Sequence, residues 1–234
     1  MVKVSIITRA YNKLEYTIRC VESIRRYTSY GNYEHIVINN NSDDGTDGWL
    51  NWIYNNDVPY FKRVIPFNMD TNYGDWGGML KSLDLVSEDS EYIVQMDNDI
   101  EIKDRQWIQK MILALKQPNV NIIQLKRLGM YNNIAPKNIK KIDFKDEILE
   151  YGLSPAERPV AFFMLKTQNF KNIKNKLPLE LHSGKKHLST LLGGTYKFSN
   201  VYCHMIDGFS AELGKQVHEI KYPRKITYQR INKL

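Results

Sequence analysis

Three observations predict an α/β domain with a mostly parallel central sheet flanked by helices. Short β-branched runs alternate with stretches of helical periodicity through the first half of the chain, the βαβ pattern whose crossovers are right-handed. The runs break into polar loops rich in Asn, Asp and Gly. The third is the stretch Tyr92-Ile-Val-Gln-Met-Asp-Asn-Asp-Ile-Glu-Ile102: its apolar part, Tyr92 to Met96, reads as a buried parallel strand and stops at two carboxylates, Asp97 and Asp99, separated by Asn98.

Taken in order, residues 2–8 form the first predicted strand and end in Arg9-Ala-Tyr-Asn12. Leu14, Ile18, Val21 and Ile24 then recur at helical spacing over residues 13–27, with Glu15, Arg19 and Glu22 facing out, until Gly31-Asn32 breaks the pattern. A second strand over 35–38 runs into Asn39-Asn-Asn-Ser-Asp-Asp-Gly-Thr46, too polar for a core, before a short helix over 48–54. A third strand over 61–66 leads to Asn72-Tyr-Gly-Asp-Trp-Gly-Gly78, whose glycines let backbone approach a ligand closely, and then to a helix carrying Leu80, Leu83 and Val86. After the central strand come a helix over 104–116, opened by an acid that the helix dipole favours, and a strand over 120–125.

The later chain is less regular. Residues 129–158 mix Asn, Lys, Pro and isolated apolar residues with no readable period. A strand over 160–165 and a short helix through Ile173, capped by Thr167, follow. Residues 174–194 have the Lys, Pro and Gly punctuation of a mobile loop, a lid over the donor that can hinge at Gly184, Gly193 and Gly194 and meet phosphate or an anionic acceptor with Lys185 and Lys186. A helix over 207–216 and closing strands over 217–222 and 225–228 end the reading.

At 234 residues, one domain spanning 1–234 is expected. A hydrophobic content of 42% and a charged content of 25%, without a long apolar segment or a leader, predict a cytoplasmic protein with nothing spanning a membrane. Cys20 and Cys203 have neither metal-site nor disulfide-framework spacing and read as reduced packing residues. The net charge of +7 is uneven: residues 1–100 hold 9 Lys/Arg against 15 Asp/Glu, and residues 101–234 hold 24 against 11. A basic second half suits a solvated surface, a phosphate-bearing acceptor or the cytoplasmic face of an anionic membrane. No nucleic-acid motif accompanies it, so no nucleic-acid partner is expected.

Ligands of open parallel sheets bind beyond the carboxyl ends of strands, and Mn²⁺ or Mg²⁺ takes carboxylate oxygens while keeping positions for phosphates. Asp97 and Asp99 can therefore hold a nucleotide diphosphate through a divalent cation. The same residues also suit a plain acidic turn.

With these pieces placed, the chain resembles the family 2 glycosyltransferases of the GT-A fold over most of its length. Val4-Ser-Ile-Ile-Thr-Arg-Ala-Tyr-Asn12 is similar to the family's opening strand and turn, and Ile36 to Thr46 to its second strand and Asp-rich loop. Asn72 to Gly78 resembles its Asn-x-Gly turn, in the Gly-Gly version of rhamnosyltransferase-like members, and Asp97-Asn-Asp99 its Asp-x-Asp motif. The resemblance implies a nucleotide-sugar site of Thr8, Ala10, Tyr11, Asn12, Asn39, Asn41, Asn72, Gly74, Gly78, Asp97 and Asn98, and a metal site of Asp97 and Asp99. His204, three residues before Asp207, is a candidate third ligand, ahead of His182, His187 and His218. Asn39 stands where the family usually has an Asp that accepts the uracil imide proton. An amide carbonyl accepts that bond without charge, so the base stays open among uracil, thymine and others.

Tyr202 to Leu213 is similar to the family loop bearing the catalytic acid, with the usual acid pair reduced to Asp207. The resemblance then implies an inverting hexosyl- or deoxyhexosyltransferase of polysaccharide biosynthesis, with Asp207 as general base and a glycan or lipid-linked acceptor. Residues 1–100 would be its nucleotide-sugar half and 101–234 its acceptor half. Asp207 also suits a plain helix cap. A nucleotidyltransferase would carry a Gly-rich loop after the first strand, where Arg9-Ala-Tyr-Asn12 has no glycine. A catalytically silent binding module fits the loss of the second acid.

Overall fold

A computed structural model describes residues 1–56, 63–128, 134–154, 161–177 and 184–206, without the side chains of Asp75 and of residues 184–187. The order is β1 (Lys3–Ala10), α1 (Leu14–Tyr27), β2 (Tyr33–Asn39), α2 (Thr46–Asn55), β3 (Val64–Asn68), α3 (Gly74–Ser82) and β4 (Ser90–Asp97). Then follow β5 (Ile100–Glu101), α4 (Trp107–Leu115), β6 (Ile122–Leu128), β7 (Lys137–Phe144), β8 (Glu147–Leu153), β9 (Phe162–Lys166), α5 (Thr167–Ile173), α6 (Gly184–Leu191) and β10 (Tyr196–Met205).

One sheet runs in the order β3-β2-β1-β4-β9-β6-β10-β8-β7, with β5 paired to β10. It is mostly parallel, β9, β8 and β5 opposing the rest. Both faces are covered. Val4, Ile6, Val94 and Met96 meet Cys20 and Ile24 of α1 and Trp107 and Met111 of α4. Ile7, Ile38, Ile93 and Phe163 meet Trp76 and Met79 of α3, Phe170 of α5 and Leu188 of α6. Burial on both faces is why β1 and β4 read as continuous apolar runs, each large side chain contributing about 1.5–3 kcal/mol.

Several expectations are corrected. The third strand is shifted to Val64–Asn68, with Pro66 tolerated because β3 is the sheet edge. Asp104 lies outside α4, where its Oδ1 accepts the Gln106 N–H at 2.8 Å and its Oδ2 takes Lys110 at 2.8 Å. Thr167 is the first residue of α5 rather than its cap, and its hydroxyl is buried without a hydrogen-bond partner among the described residues. The unreadable excursion holds the hairpin of β7 and β8, and the expected loop over 174–194 holds a 3-10 turn, Lys174–Lys176, and α6. β10 stands where no strand was expected. The helix over 207–216, the two closing strands, and with them Asp207, Glu212 and His218, lie outside the described residues, as does His182.

Candidate functional site

The site forms where β1, β2 and β4 end side by side. Register pairs Arg9 with Asp97 and Ala10 with Asn39, so the Arg9 guanidinium reaches the first carboxylate across the sheet. The ion pair, Arg9 Nη2 to Asp97 Oδ1, measures 2.5 Å; the arginine is 6% exposed and the aspartate 35%. Asn98 donates from Nδ2 to the Asn12 carbonyl at 3.0 Å and to Thr17 Oγ1 at 2.9 Å, tying the acidic turn to the loop before α1. The Asp99 carbonyl accepts the Ile206 N–H at 2.8 Å, which brings the end of β10, one residue before Asp207, against the same turn.

The asparagine-rich loop is largely scaffold. Asn39 is buried; its Oδ1 accepts the Ser42 N–H at 2.8 Å and its Nδ2 donates to Asn68 at 2.9 Å. Asn40 donates to Asn72 Oδ1 at 2.8 Å and to the Gly74 carbonyl at 3.1 Å, and accepts the Tyr73 N–H at 3.0 Å. It clamps the Asn72 turn, where Gly74 needs its glycine because φ is 68°. Asn12 and Asn41 adopt left-handed conformations, φ 56° and 63°, that Asn tolerates better than most residues. Asn12 receives the Asp43 N–H on its Oδ1, while Asn41 is exposed. Gly78 is buried, yet an added Cβ would meet the Arg9 and Asn40 side chains at an ordinary 3.7 Å.

Thr8 and Ala10 are buried, and Thr8 Oγ1 bonds His35 Nε2 at 2.8 Å, so the threonine side chain serves the core. Burial pushes the His35 imidazole down to about 3. Tyr11, 36% exposed, is a ring at this edge that a ligand can reach from solvent. Arg127, at the carboxyl end of β6, is a residue sequence reasoning missed. Burial holds its guanidinium below its ordinary value, against the opposing pull of Cys203, Asp97 and Asp99. Its place at a strand end was the available signal.

His204 lies in β10 opposite Glu101 of β5. Burial and then Lys103 lower its imidazole, with Glu101 opposing. Among the described residues no three His, Cys, Asp or Glu side chains gather into a metal cluster. The oxygen donors Asp97 and Asp99 still fit a hard divalent cation, because both residues stay partly exposed at the end of β4 even with Arg9 on Oδ1 of Asp97. A cavity of about 470 Å³, lined among others by Glu88, Tyr92, Lys166 and Lys171, opens at the opposite end of β4 and belongs to none of this.

A sequence model of glycosyl transferase family 2 matches residues 5–174. The chain belongs to that family. It is 28% identical over 126 residues to the uncharacterised protein y4gI of Sinorhizobium fredii, which is 53% of this chain and 13% of that protein. TarS 1-349 of S. aureus superposes with a TM-score of 0.63 at 14% identity, covering 88% of this chain and 61% of that one. It has been crystallised with UDP and with UDP-GlcNAc. The mannosyltransferase PcManGT of Pyrobaculum calidifontis, in complex with GDP-Man and Mn²⁺, gives 0.61 at 13% identity, covering 87% and 56%. This family 2 chain thus has the GT-A fold and spans less than two thirds of the length of these proteins. Among the described residues no helix is long and apolar enough to cross a membrane.

Proposed function

We propose that this chain transfers a sugar from a nucleotide-diphosphate donor to a hydroxyl acceptor with inversion. The observation carrying the reading is the convergence at one sheet edge of the loops after β1, β2 and β4 with the end of β10, through the Arg9–Asp97 pair and the Ile206–Asp99 bond. TarS with UDP-GlcNAc and PcManGT with GDP-Man and Mn²⁺ support it. Asp97 and Asp99 would hold a divalent cation, which neutralises a diphosphate when bound. Tyr11 packs against the base, while Asn39, Asn40 and Asn72 fix the loops that border it. Arg9 orients Asp97, and Arg127 adds positive charge beside the leaving diphosphate. Asp207 takes the acceptor hydroxyl proton as that oxygen bonds to the anomeric carbon, from the face opposite the breaking bond to the diphosphate.

Incubating the purified protein with UDP-, dTDP- and GDP-sugars, with Mn²⁺ or with chelator, tests the reading by nucleoside diphosphate release with and without hydroxyl acceptors. Metal-dependent release that rises with an acceptor is expected. Absence of both release and donor binding across the panel would reject the reading.

A further inference from the structure

The acid turn already holds counter-charge of its own. Arg9 Nη2 lies 2.5 Å from Asp97 Oδ1, and at 6% exposure the guanidinium meets little water that could replace a lost partner. Breaking a buried ion pair by taking one member away is strongly destabilising, so Arg9 keeps its hold on that oxygen. Asp97 and Asp99 also pull electrostatically on the Arg127 guanidinium near the end of β6. Arginine charge therefore offsets both carboxylates before any ligand arrives.

The oxygens are limited as well. Asp97 Oδ1 is bonded to Arg9 and Asp99 Oδ1 is buried from solvent, which leaves at most one oxygen from each residue open to a cation. Among the described residues no further His, Cys, Asp or Glu completes a cluster there. Mn²⁺ and Mg²⁺ take about six oxygens, so the acid pair supplies roughly a third of the set. A diphosphate brings both of the missing parts, oxygens and negative charge. We propose that Arg9 makes cation binding at the acid turn conditional on a nucleotide diphosphate, by holding one Asp97 oxygen and offsetting its charge. The diphosphate rests on the transferase reading; the hold of Arg9 on the acid pair does not. Arg9 acts through Asp97, so it is a positioning residue whose signature is cation affinity rather than turnover.

Mn²⁺ binding to the full chain without nucleotide, read from the paramagnetic resonance of the free ion, tests the role of Arg9. The unaltered protein should bind Mn²⁺ weakly and Arg9→Gln about ten-fold more tightly, the scale of one charged hydrogen bond released. Arg9→Lys keeps the charge and should stay near the unaltered protein, a split that a merely structural arginine would not produce. Calorimetry of UDP, dTDP and GDP, each with Mn²⁺ or with chelator, tests the nucleotide part. Coupling is reciprocal, so the ratio of the two affinities measures how far the nucleotide promotes the cation; it should be about a hundred-fold in the unaltered protein and about ten-fold lower in Arg9→Gln. Unchanged Mn²⁺ affinity in Arg9→Gln, or a ratio near one in the unaltered protein, would overturn the proposal. If Arg9→Gln does not fold, the ratio in the unaltered protein still decides. Failure of all three diphosphates to bind would instead sink the transferase reading, while Mn²⁺ alone still decides whether Arg9 withholds the acid pair.

Discussion

Asp207→Asn takes the carboxylate from the proposed base, and Asn would cap the helix expected over 207–216 about as well as Asp. Asp207→Asn should leave donor affinity unchanged and slow transfer by about 10²–10⁴-fold at saturating donor. Near-normal turnover would remove Asp207 as the base and point to Glu212 or the acids of 143–150. His35 gives a second test at this scale. Its folded value, about 3, lies below the unfolded value of about 6.5, so the unfolded chain binds the extra proton. Stability is then full above pH 6.5 and falls as pH drops, by about 2 kcal/mol between pH 7 and 5. The hydrogen bonds of Ser5 and Ser87 keep Glu34 below its ordinary value despite burial, so its loss comes at lower pH still. A His35→Gln variant whose melting temperature keeps the full slope from pH 7 to 5 would reject this account. The place of Asp97 and Asp99 at the end of β4 was legible because the apolar run stops there. The partners of Arg9 and Thr8 were not, because they follow from register between strands distant in sequence.

The hairpin of β7 and β8 tolerates no side chain at Gly152. A Cβ there would lie 2.3 Å from the Lys137 carbonyl oxygen, backbone of the partner strand beside the register shift between Lys137 and Lys140. Gly152→Ala should therefore destabilise by about 1–3 kcal/mol, the cost of overpacking, and speed amide exchange in β8 before that in β4. Unchanged exchange in β8 would mean the hairpin absorbs the methyl group. The same elements show what sequence patterning can reveal. β1, β2 and β4 sit inside the parallel part of the sheet and announce themselves by apolar runs. β7 is mostly exposed, so its isoleucines carry no alternation, and the shift between Lys197 and Tyr202 breaks the period of β10. α6 is a short helix hidden among lysines and glycines.

Across the whole molecule, the parallel run β3-β2-β1-β4 carries the loops proposed for the nucleotide, and the antiparallel β9 links it to β6 and β10. A donor bound at the acid turn would touch both parts, since Asp99 is bonded to the end of β10. Such a ligand stabilises the entire fold by mass action, about 2.7 kcal/mol at a hundred times its dissociation constant. For a chain of this size that corresponds to a melting shift of about 5–10 °C. UDP with Mn²⁺ should produce it in the unaltered protein, and chelator should remove the metal-dependent part. Asp99→Ala should lose that part while its ligand-free melting temperature moves little. Asp97→Ala should lose it and also melt earlier without ligand, by the equivalent of about 1–3 kcal/mol, because the buried Arg9 guanidinium loses an ion-pair partner. A full Mn²⁺-dependent shift in Asp99→Ala would overturn the metal assignment, and equal ligand-free stability in the two variants would show that the Arg9–Asp97 pair contributes nothing to the fold.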